Sequence, residues 1–243
     1  FAGMEAALSQ IGFTVLCGDD YEADDYAASV IRKFEDPGLR ILVHTKDHDY
    51  EQLVSDHTRL WRQVDKDKAE TLKNAYGLFA GNEGYAALPA GIFEYTADIV
   101  NAEEGVMPSQ IPDLWGIVGD PSDGIPGCRG VSSAAAPLIR EYGSIAHIYE
   151  AIDACENDAK KEKALSAFWK ENLGISRSPL KSLKENRADV LLSRQLAVMK
   201  DDIALPCTLD DLRMQTDPAP YLRIFDQYEL SSISADVKKK GIC

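Results

Sequence analysis

The stretch GDPSDGIPGCRGV, residues 119–131, sets two aspartates ahead of a turn rich in glycine and proline. The turn contains three glycines, Gly124, Gly127 and Gly130. Glycine lets a backbone turn tightly and approach a phosphate closely, and amides at the start of the next helix can point at that phosphate. Asp120 and Asp123 offer the oxygen ligands that hard divalent cations prefer. The stretch therefore indicates a metal site beside a phosphate-binding hairpin, residues 124–134.

Upstream of this stretch, helical and strand-like segments alternate. GMEAALSQIGF at 3–13 has helical spacing, TVLCG at 14–18 reads as a short strand, and EADDYAASVIRKF from Glu22 is again helical. DPG then forms a turn, and the apolar run ILVHT at 41–45 is typical of a buried parallel strand. The alternation predicts an α/β sheet with crossover helices.

The rest of the chain is mainly helical. LWRQV at 60–64 is a candidate strand, and the segment 65–91 reads as a variable insertion. Residues 201–212 read as extended and the tail VKKKGIC as frayed. Helices are predicted at IPDLWGIVG, AAAPLIREYGS, 144–173, 180–199 and PYLRIFDQYEL. We therefore predict an α/β domain over 1–115 and a helical domain over 116–243.

Two further acidic clusters accompany Asp120 and Asp123. Glu22, Asp24 and Asp25 fall at a predicted helix start, where acids also serve as ordinary caps. Asp47 and Asp49 follow ILVHT, and ligands of open α/β sheets collect beyond the carboxyl ends of strands. The side chains of Asp47 and Asp49 would point the same way if strand geometry continued through them. An ordinary polar loop is the alternative for this pair.

Convergent carboxylates suit phosphodiester chemistry. Two divalent ions held about 4 Å apart stabilise both the attacking and the leaving oxygen. Crowded acids repel one another, so metal ions that neutralise them explain such a cluster.

The composition limits the classes of protein to which the chain can belong. The 243 residues are 45% hydrophobic with a formal net charge of −14, so the chain can bury a sizeable core but has no basic surplus for nucleic acid. No apolar run approaches the roughly 20 residues of a membrane helix, so we expect no membrane partner. Five scattered cysteines without a CxxC pair favour a reducing, intracellular compartment, with an organelle left open. Phe1 follows no leader, which suggests a longer or processed product.

Other conspicuous side chains have structural explanations. The histidines near the second acidic cluster lack transition-metal spacing and are interpreted as polar loop residues; they are His44, His48 and His57. The tryptophans are interpreted as core or interface aromatics rather than base-stacking platforms; they are Trp61, Trp115 and Trp169. The lysines at 238–240 are interpreted as a solvated tail.

The ordered motifs resemble those of the 5′ nuclease family, which includes the 5′–3′ exonuclease domain of bacterial DNA polymerase I and the flap endonucleases. YEADD is similar to the family's Glu-Ala-Asp-Asp, and DHDYEQLV to its Asp-Lys-Asp-x-x-Gln-Leu-Val. VGDPSDGIPGCRGV is similar to its Gly-Asp-x-Ser-Asp-Asn-Ile-Pro-Gly hairpin entrance. The linking pieces MPSQIPDLWGIVGD, REYGSI and KENRADVLLSRQLAVMKDDIAL match as well. The resemblance implies a parallel-sheet, PIN-like α/β core followed by a helix-hairpin-helix and a helical carboxyl-terminal region.

The resemblance also implies roles for individual residues. Two Mg²⁺ or Mn²⁺ ions would be held, the first by Glu22, Asp24 and Asp25, the second by Asp47, Asp49, Asp120 and Asp123. Asp24 and Asp47 would lie between the ions as catalytic residues. The hairpin would bind the DNA backbone with a monovalent cation, through Gly124, Ile125, Gly127, Gly130, Ser132 and Ser133.

Departures from the family pattern matter for activity. The family's first strands, with further metal-binding aspartates, and its arch of lysine and arginine have no counterpart here, so the first metal position is incomplete. The hairpin reads GVSSAAAP where the family has Gly-x-Gly-Pro-Lys-Thr-Ala, which predicts weaker phosphate binding. Pro137 is tolerated there only if the next helix starts late or bends.

Two functions stay open. The seven carboxylates favour a divalent-metal-dependent 5′–3′ exonuclease or flap endonuclease that hydrolyses phosphodiester bonds in DNA, with RNA as a second substrate class. The incomplete first metal position, the altered hairpin and the acidic charge favour an inactive nuclease fold that serves as a binding or scaffold subunit of a larger assembly. In either case we expect a separate polypeptide or an upstream segment to complete the exposed sheet.

Overall fold

The computed structural model describes residues 2–77, 88–214 and 220–241. Its strands are β1 (Ile41–Thr45), β2 (Thr58–Gln63) and β3 (Ile92–Tyr95). Its α-helices are α1 (Ala2–Gln10), α2 (Ala23–Phe34), α3 (Lys66–Ala75), α4 (Ala97–Glu104), α5 (Ile111–Val118), α6 (Ser132–Tyr142), α7 (Ile145–Asp153), α8 (Ala159–Asn172), α9 (Leu180–Glu185), α10 (Arg187–Ala197), α11 (Tyr221–Gln227) and α12 (Ser231–Lys240). Short 3₁₀ turns span Asp49–Leu53, Pro108–Gln110 and Asp210–Leu212.

The sheet has the order β1-β2-β3. β1 runs parallel to β2, with Ile41 opposite Thr58, and β3 adds an antiparallel strand, with Tyr95 opposite Leu60. The predicted strand at 41–45 is confirmed and the candidate strand at 60–64 overlaps β2, but the prediction that β1 is buried is wrong. Every second residue of β1 is exposed, because β1 lies at an edge of this sheet.

Two other local predictions are corrected. TVLCG forms no strand, and Thr14 Oγ1 instead donates to the carbonyl of Asp211. Strand propensity alone does not make a strand, since extended backbone needs a neighbour with which to pair. The tail is helical through Lys240, and its buried Ser234 donates to Asp226 Oδ1 at 2.8 Å.

The predicted insertion, 65–91, contains α3, and its residues 78–87 lie outside the described part. The predicted helical stretches 144–173 and 180–199 each divide into two helices. Ser144 caps α7 by accepting from the amide of His147, and Asp158 caps α8 by accepting from Lys160 and Lys161. These side chains satisfy amides that have no partner within a helix.

By its internal contacts the chain divides into two compact units, one of residues 31–200 and one of residues 1–30 with 201–243. The smaller unit has its own apolar cluster, in which Ala7 and Ile11 of α1 pack with Ile224 and Phe225 of α11. The predicted division at residue 115 stays a prediction. No helix within the described ranges combines the length and apolar character that crossing a membrane requires.

Helix α5 lies at the centre of the larger unit and is almost entirely buried. Pro112 occupies its first turn, and Gly119 ends it at φ 77°. The carboxylate of Asp113, 4% exposed, accepts from Ile145 N at 3.1 Å and from Arg194 Nε at 2.9 Å. These bonds tie α5 to α7 and α10, so the loop that begins at Asp120 leaves from a fixed point.

Helix α6 excludes one of the two alternatives given for Pro137. The helix starts at Ser132 and includes Pro137, so it does not start late. A proline at this position leaves one carbonyl of the preceding turn without its amide donor. Packing compensates, because Leu138 and Ile139 are fully buried in the core.

Candidate metal centre and hairpin

Asp47 and Asp49 are held by a turn that follows β1. The amide of Asp47 donates to Thr45 Oγ1 at 3.1 Å, and the amide of Asp49 donates to Asp47 Oδ1 at 3.0 Å. Asp49 then opens the 3₁₀ turn Asp49–Leu53. The condition for alignment by strand alternation is therefore not met, because the strand ends at Thr45 and side-chain hydrogen bonds set the turn.

Gln52 holds this 3₁₀ turn against the end of α10. Its Nε2 donates to the carbonyl of Asp49 at 3.1 Å and to that of Ala197 at 3.0 Å. Its Oε1 accepts from the amide of Met199 at 3.2 Å. Gln52 therefore fixes the backbone that carries Asp49, a role that the sequence reasoning missed.

Asp120 is placed by a closed loop after α5. Its backbone exchanges two hydrogen bonds with Ile125, at 2.9 and 2.8 Å. The amide and hydroxyl of Ser122 donate to Asp120 Oδ1 at 2.8 and 2.5 Å. The side chain is 8% exposed, and its second oxygen, Oδ2, has no hydrogen-bond partner.

The two loops bring a group of potential ligands together. Asp49, Asp120 and Asp123 each offer an oxygen within 4.8 Å of the others, and Asp47, His48 and Asp49 form a second such group. His48 Nε2 lies 3.5 Å from Asp49 Oδ1 and 3.3 Å from Asp120 Oδ2. His48 is a residue of the turn after β1, as interpreted from the sequence, and its ring also lies beside two carboxylates, for which its position between two motif aspartates was a usable signal.

Burial raises the pKa of one aspartate of this group, and a hydrogen bond lowers the pKa of another. Burial raises the pKa of Asp49 to about 6, His48 opposes that rise, and the neighbouring carboxylates add to it. The hydrogen bond from the Ser122 hydroxyl leads the effects that lower the pKa of Asp120. Asp49 Oδ1 and Asp120 Oδ2 are both buried without hydrogen bonds. Buried oxygens of this kind, grouped with further carboxylates, fit a divalent cation.

The first acidic cluster has a different local arrangement. The amide of Asp25 donates to Asp24 Oδ1 at 2.8 Å, and the amide of Glu22 donates to Asp25 Oδ2 at 3.3 Å. These contacts are typical of a helix start and fit the capping alternative at α2. Among the described residues, the ligand groups given above do not include this cluster.

The hairpin residues differ in what their amides do. Ile125 N–H donates to Asp120, and Gly127 N–H donates to Ser193 Oγ at 2.9 Å inside the protein. Gly127 has φ 60°, and a Cβ there would lie 2.6 Å from the carbonyl carbon of Val118. These two predicted phosphate-binding residues therefore shape the hairpin, and their amides already have partners.

The remaining hairpin residues face outward. Gly124 and Gly130 are exposed and have positive φ, and a Cβ added at either position would meet nothing within 4 Å. Ser132 and Ser133 are exposed at the first turn of α6, which has no side-chain cap. First-turn amides lack partners within their helix, so this end of α6 can receive an anion.

Two family models and several relatives match this chain. Residues 1–77 match the family model of the 5′–3′ exonuclease N-terminal resolvase-like domain, and residues 106–219 match that of the 5′–3′ exonuclease C-terminal SAM fold. DNA polymerase I of Mycobacterium bovis is 30% identical over 235 residues, which cover 94% of this chain and 21% of that protein. DNA polymerase I of Bacillus caldotenax is 29% identical over 198 residues, which cover 81% of this chain and 18% of that protein.

The chain thus spans about a fifth of the length of these curated relatives. A solved structure described as divalent metal ions (zinc) bound to T5 5′-exonuclease has a TM-score of 0.51 and 16% identity. The match covers 96% of this chain and 64% of the other chain. It shows that the two chains have a similar fold. The resolvase-like and SAM-like regions, in the family's order, show that the chain belongs to the 5′–3′ exonuclease and flap endonuclease family.

Proposed function

We propose that the chain is a divalent-metal-dependent 5′–3′ exonuclease or flap endonuclease that hydrolyses phosphodiester bonds in DNA. The main support is the pair of buried oxygens, Asp49 Oδ1 and Asp120 Oδ2, that have no hydrogen-bond partner in a cluster of carboxylates. Folding alone gains nothing from such a pair, because buried unpaired carboxylate oxygens are costly. A cation-binding role accounts for them.

The acidic residues have separate roles in this proposal. Asp47, Asp49, Asp120 and Asp123 hold one divalent ion, Mg²⁺ or Mn²⁺. Glu22, Asp24 and Asp25 contribute to a second ion. Asp24 and Asp47 are the catalytic residues in this proposal, by the resemblance of their motifs to those of the family. When bound, such ions lower the pKa of water and offset charge on the phosphate.

The hairpin binds the DNA backbone in this proposal. Amides of Ser132 and Ser133 at the start of α6 receive a backbone phosphate, together with a monovalent cation. The open backbone at Gly124 and Gly130 lets the duplex approach closely, and the exposed Arg129 adds a positive charge beside it. RNA is the second substrate class to test.

A further polypeptide segment completes the sheet in this proposal. β1 is the edge strand and exposes Leu42, an apolar residue, at 47%. An exposed apolar edge strand is a template for pairing with another chain segment. We also propose a reducing intracellular compartment, an organelle included, because the five cysteines are scattered along the sequence without a CxxC pair.

A scaffold role without catalysis is the second candidate. It is favoured by the hairpin, where Ile125 and Gly127 use their amides internally and the family's lysine is absent. An inactive fold of this kind would bind a partner or nucleic acid without cleaving it.

Cleavage of a 5′-flap DNA with Mg²⁺ or Mn²⁺ tests the proposal. We expect Asp49→Asn and Asp120→Asn to slow cleavage by about two orders of magnitude, since each removes a charged ligand. Asp158→Asn is the matched control, because asparagine caps α8 as well as aspartate does. No metal-dependent cleavage by the unaltered chain, with DNA binding retained, would favour the scaffold.

A further inference from the structure

We propose that His48 is a nitrogen ligand of the metal position formed by Asp49 and Asp120. Its imidazole makes this position select first-row transition ions over Mg²⁺. The inference rests on the proposed metal dependence, but it concerns which ion the site prefers.

The first argument is the spacing of the donor atoms. His48 Nε2 lies 3.5 Å from Asp49 Oδ1 and 3.3 Å from Asp120 Oδ2. Donors that share an ion at about 2.1 Å lie roughly 3 to 3.4 Å apart from one another. The nitrogen therefore lies from each of the two oxygens at close to the separation of two ligands in one coordination sphere.

The second argument is that this proximity produces no hydrogen bond to either oxygen. Asp49 Oδ1 and Asp120 Oδ2 are buried and have no hydrogen-bond partner, although the ring nitrogen lies close to both. The Asp120 side chain is more than nine-tenths buried, and its free oxygen faces the ring. A cation shared by the nitrogen and both oxygens satisfies all three atoms at once.

The third argument is that the ring is held in place. The indole of Trp115, on α5, packs edge to face against the His48 ring, with centroids 4.8 Å apart and planes at 82°. The backbone of His48 lies within the hydrogen-bonded turn between Asp47 and Asp49. α5 also leads into Asp120, so one helix positions both the ring and the carboxylate.

Ligand chemistry then sets the preference. Mg²⁺ favours oxygen ligands and keeps several waters, whereas imidazole binds transition ions well. A site of one imidazole and several carboxylates should therefore bind Co²⁺ more tightly than Mg²⁺, and should bind Mn²⁺ through a nitrogen as well as oxygens.

Pulsed electron paramagnetic resonance of Mn²⁺ bound to the 243-residue chain tests the ligand directly. We expect nitrogen coupling that changes from ¹⁴N to ¹⁵N when the chain is made with ¹⁵N-histidine, and this needs no mutation. His48→Gln should abolish the coupling, whereas His44→Gln, at an exposed position of β1, should keep it. Calorimetry with each metal alone should show Co²⁺ affinity falling about tenfold or more in His48→Gln, with Mg²⁺ affinity nearly unchanged.

Bound Mn²⁺ without histidine coupling would overturn the inference, as would a parallel fall in Co²⁺ and Mg²⁺ affinity. If such a chain still cleaves flap DNA, the proposed function stands and the role of His48 fails. If histidine coupling is present but cleavage is absent, the role of His48 stands and the nuclease activity fails. Failure of Mn²⁺ to bind at all would overturn both.

Discussion

Arg62 Nη1 donates to Glu51 Oε1 across 2.5 Å, and the Glu51 side chain is completely buried. Arg62 lies on β2, whereas Glu51 lies in the 3₁₀ turn that begins at Asp49. The pair therefore ties the turn that carries a proposed metal ligand to the middle of the sheet. Glu51 Oε2 and Arg62 Nε have no hydrogen-bond partner, so each charge depends on the other.

Arg62→Met should destabilise the protein. At pH 8 the change leaves a buried carboxylate without its cation, and we expect a loss of about 3 to 5 kcal/mol in the free energy of unfolding. At pH 5 the loss should be smaller, because Glu51 can take up a proton. Urea unfolding at the two pH values measures both, and equal losses at pH 5 and pH 8 would contradict the buried-charge explanation. Lys181→Met, which removes an exposed pair with Glu185, should change stability by less than about 1 kcal/mol.

Glu51 also predicts a pH dependence of stability. Burial, helped by Glu104 and opposed by Arg62, raises its pKa from 4.5 to about 7. Because the folded state binds this proton more tightly than the unfolded state, the stabilisation is full below pH 4.5 and is lost as the pH rises to about 7. The stability of the unaltered chain relative to Glu51→Gln should therefore fall by roughly 3 kcal/mol across that window. For the control Glu70→Gln, at an exposed position, the difference in the free energy of unfolding from the unaltered chain should not change with pH. A pH-independent difference for Glu51→Gln would contradict the raised pKa of Glu51.

Alanine substitutions at two hairpin glycines allow the cost of backbone strain to be measured apart from the cost of a steric clash. Gly127 and Gly130 both have positive φ, but only at Gly127 would a Cβ meet backbone atoms, including the carbonyl carbon of Val118 at 2.6 Å. Gly130→Ala should cost about 1 kcal/mol, whereas Gly127→Ala adds a clash and should cost more than about 3 kcal/mol. Thermal unfolding of both variants makes the comparison. Similar losses for the two would show that the hairpin adjusts to admit the methyl group.

Gln52→Met should uncouple the 3₁₀ turn from α10. The carbonyl of Ala197 and the amide of Met199 lose their partner, at a cost of about 1 to 3 kcal/mol. Because Asp49 is then less well held, we expect Mn²⁺ affinity to fall by about tenfold.

Gln110 offers a matched control for this variant. It also links two segments, by donating to the carbonyl of Gly143 and accepting from the amide of Met107. Gln110→Met should cost similar stability and leave Mn²⁺ affinity unchanged, as calorimetry can measure. Equal losses of affinity in both variants would mean that stability, not positioning, controls the site.

Much of this protein could be predicted from short-range patterns. The helix at 111–118 has a proline in its first turn and a glycine at its end, and ILVHT is an uninterrupted β-prone run. These signals depend only on residues that are neighbours in sequence, so they can be recognised without the tertiary structure. The family motifs also identified carboxylates as the chemistry-bearing residues, although the role of each stays a prediction.

Other features depend on contacts between distant segments. TVLCG has strand propensity, but strand formation depends on a pairing partner that the local pattern does not reveal. The burial of β1 was overestimated because an apolar run does not tell whether a strand is central or at an edge. Likewise, Gly127 was predicted to bind the DNA backbone, but its amide donates to Ser193 Oγ on a helix distant in sequence.

The sequence by itself determined the family, the order of the helical and strand segments around the hairpin, and the carboxylates available for metal. Only the tertiary structure decided that Asp49 and Asp120 meet, that His48 lies against both, and that Glu51 is buried against Arg62. The physical reason is that motif spacing fixes local geometry, whereas the distance between two loops depends on strand pairing and on the packing of α5 and α10.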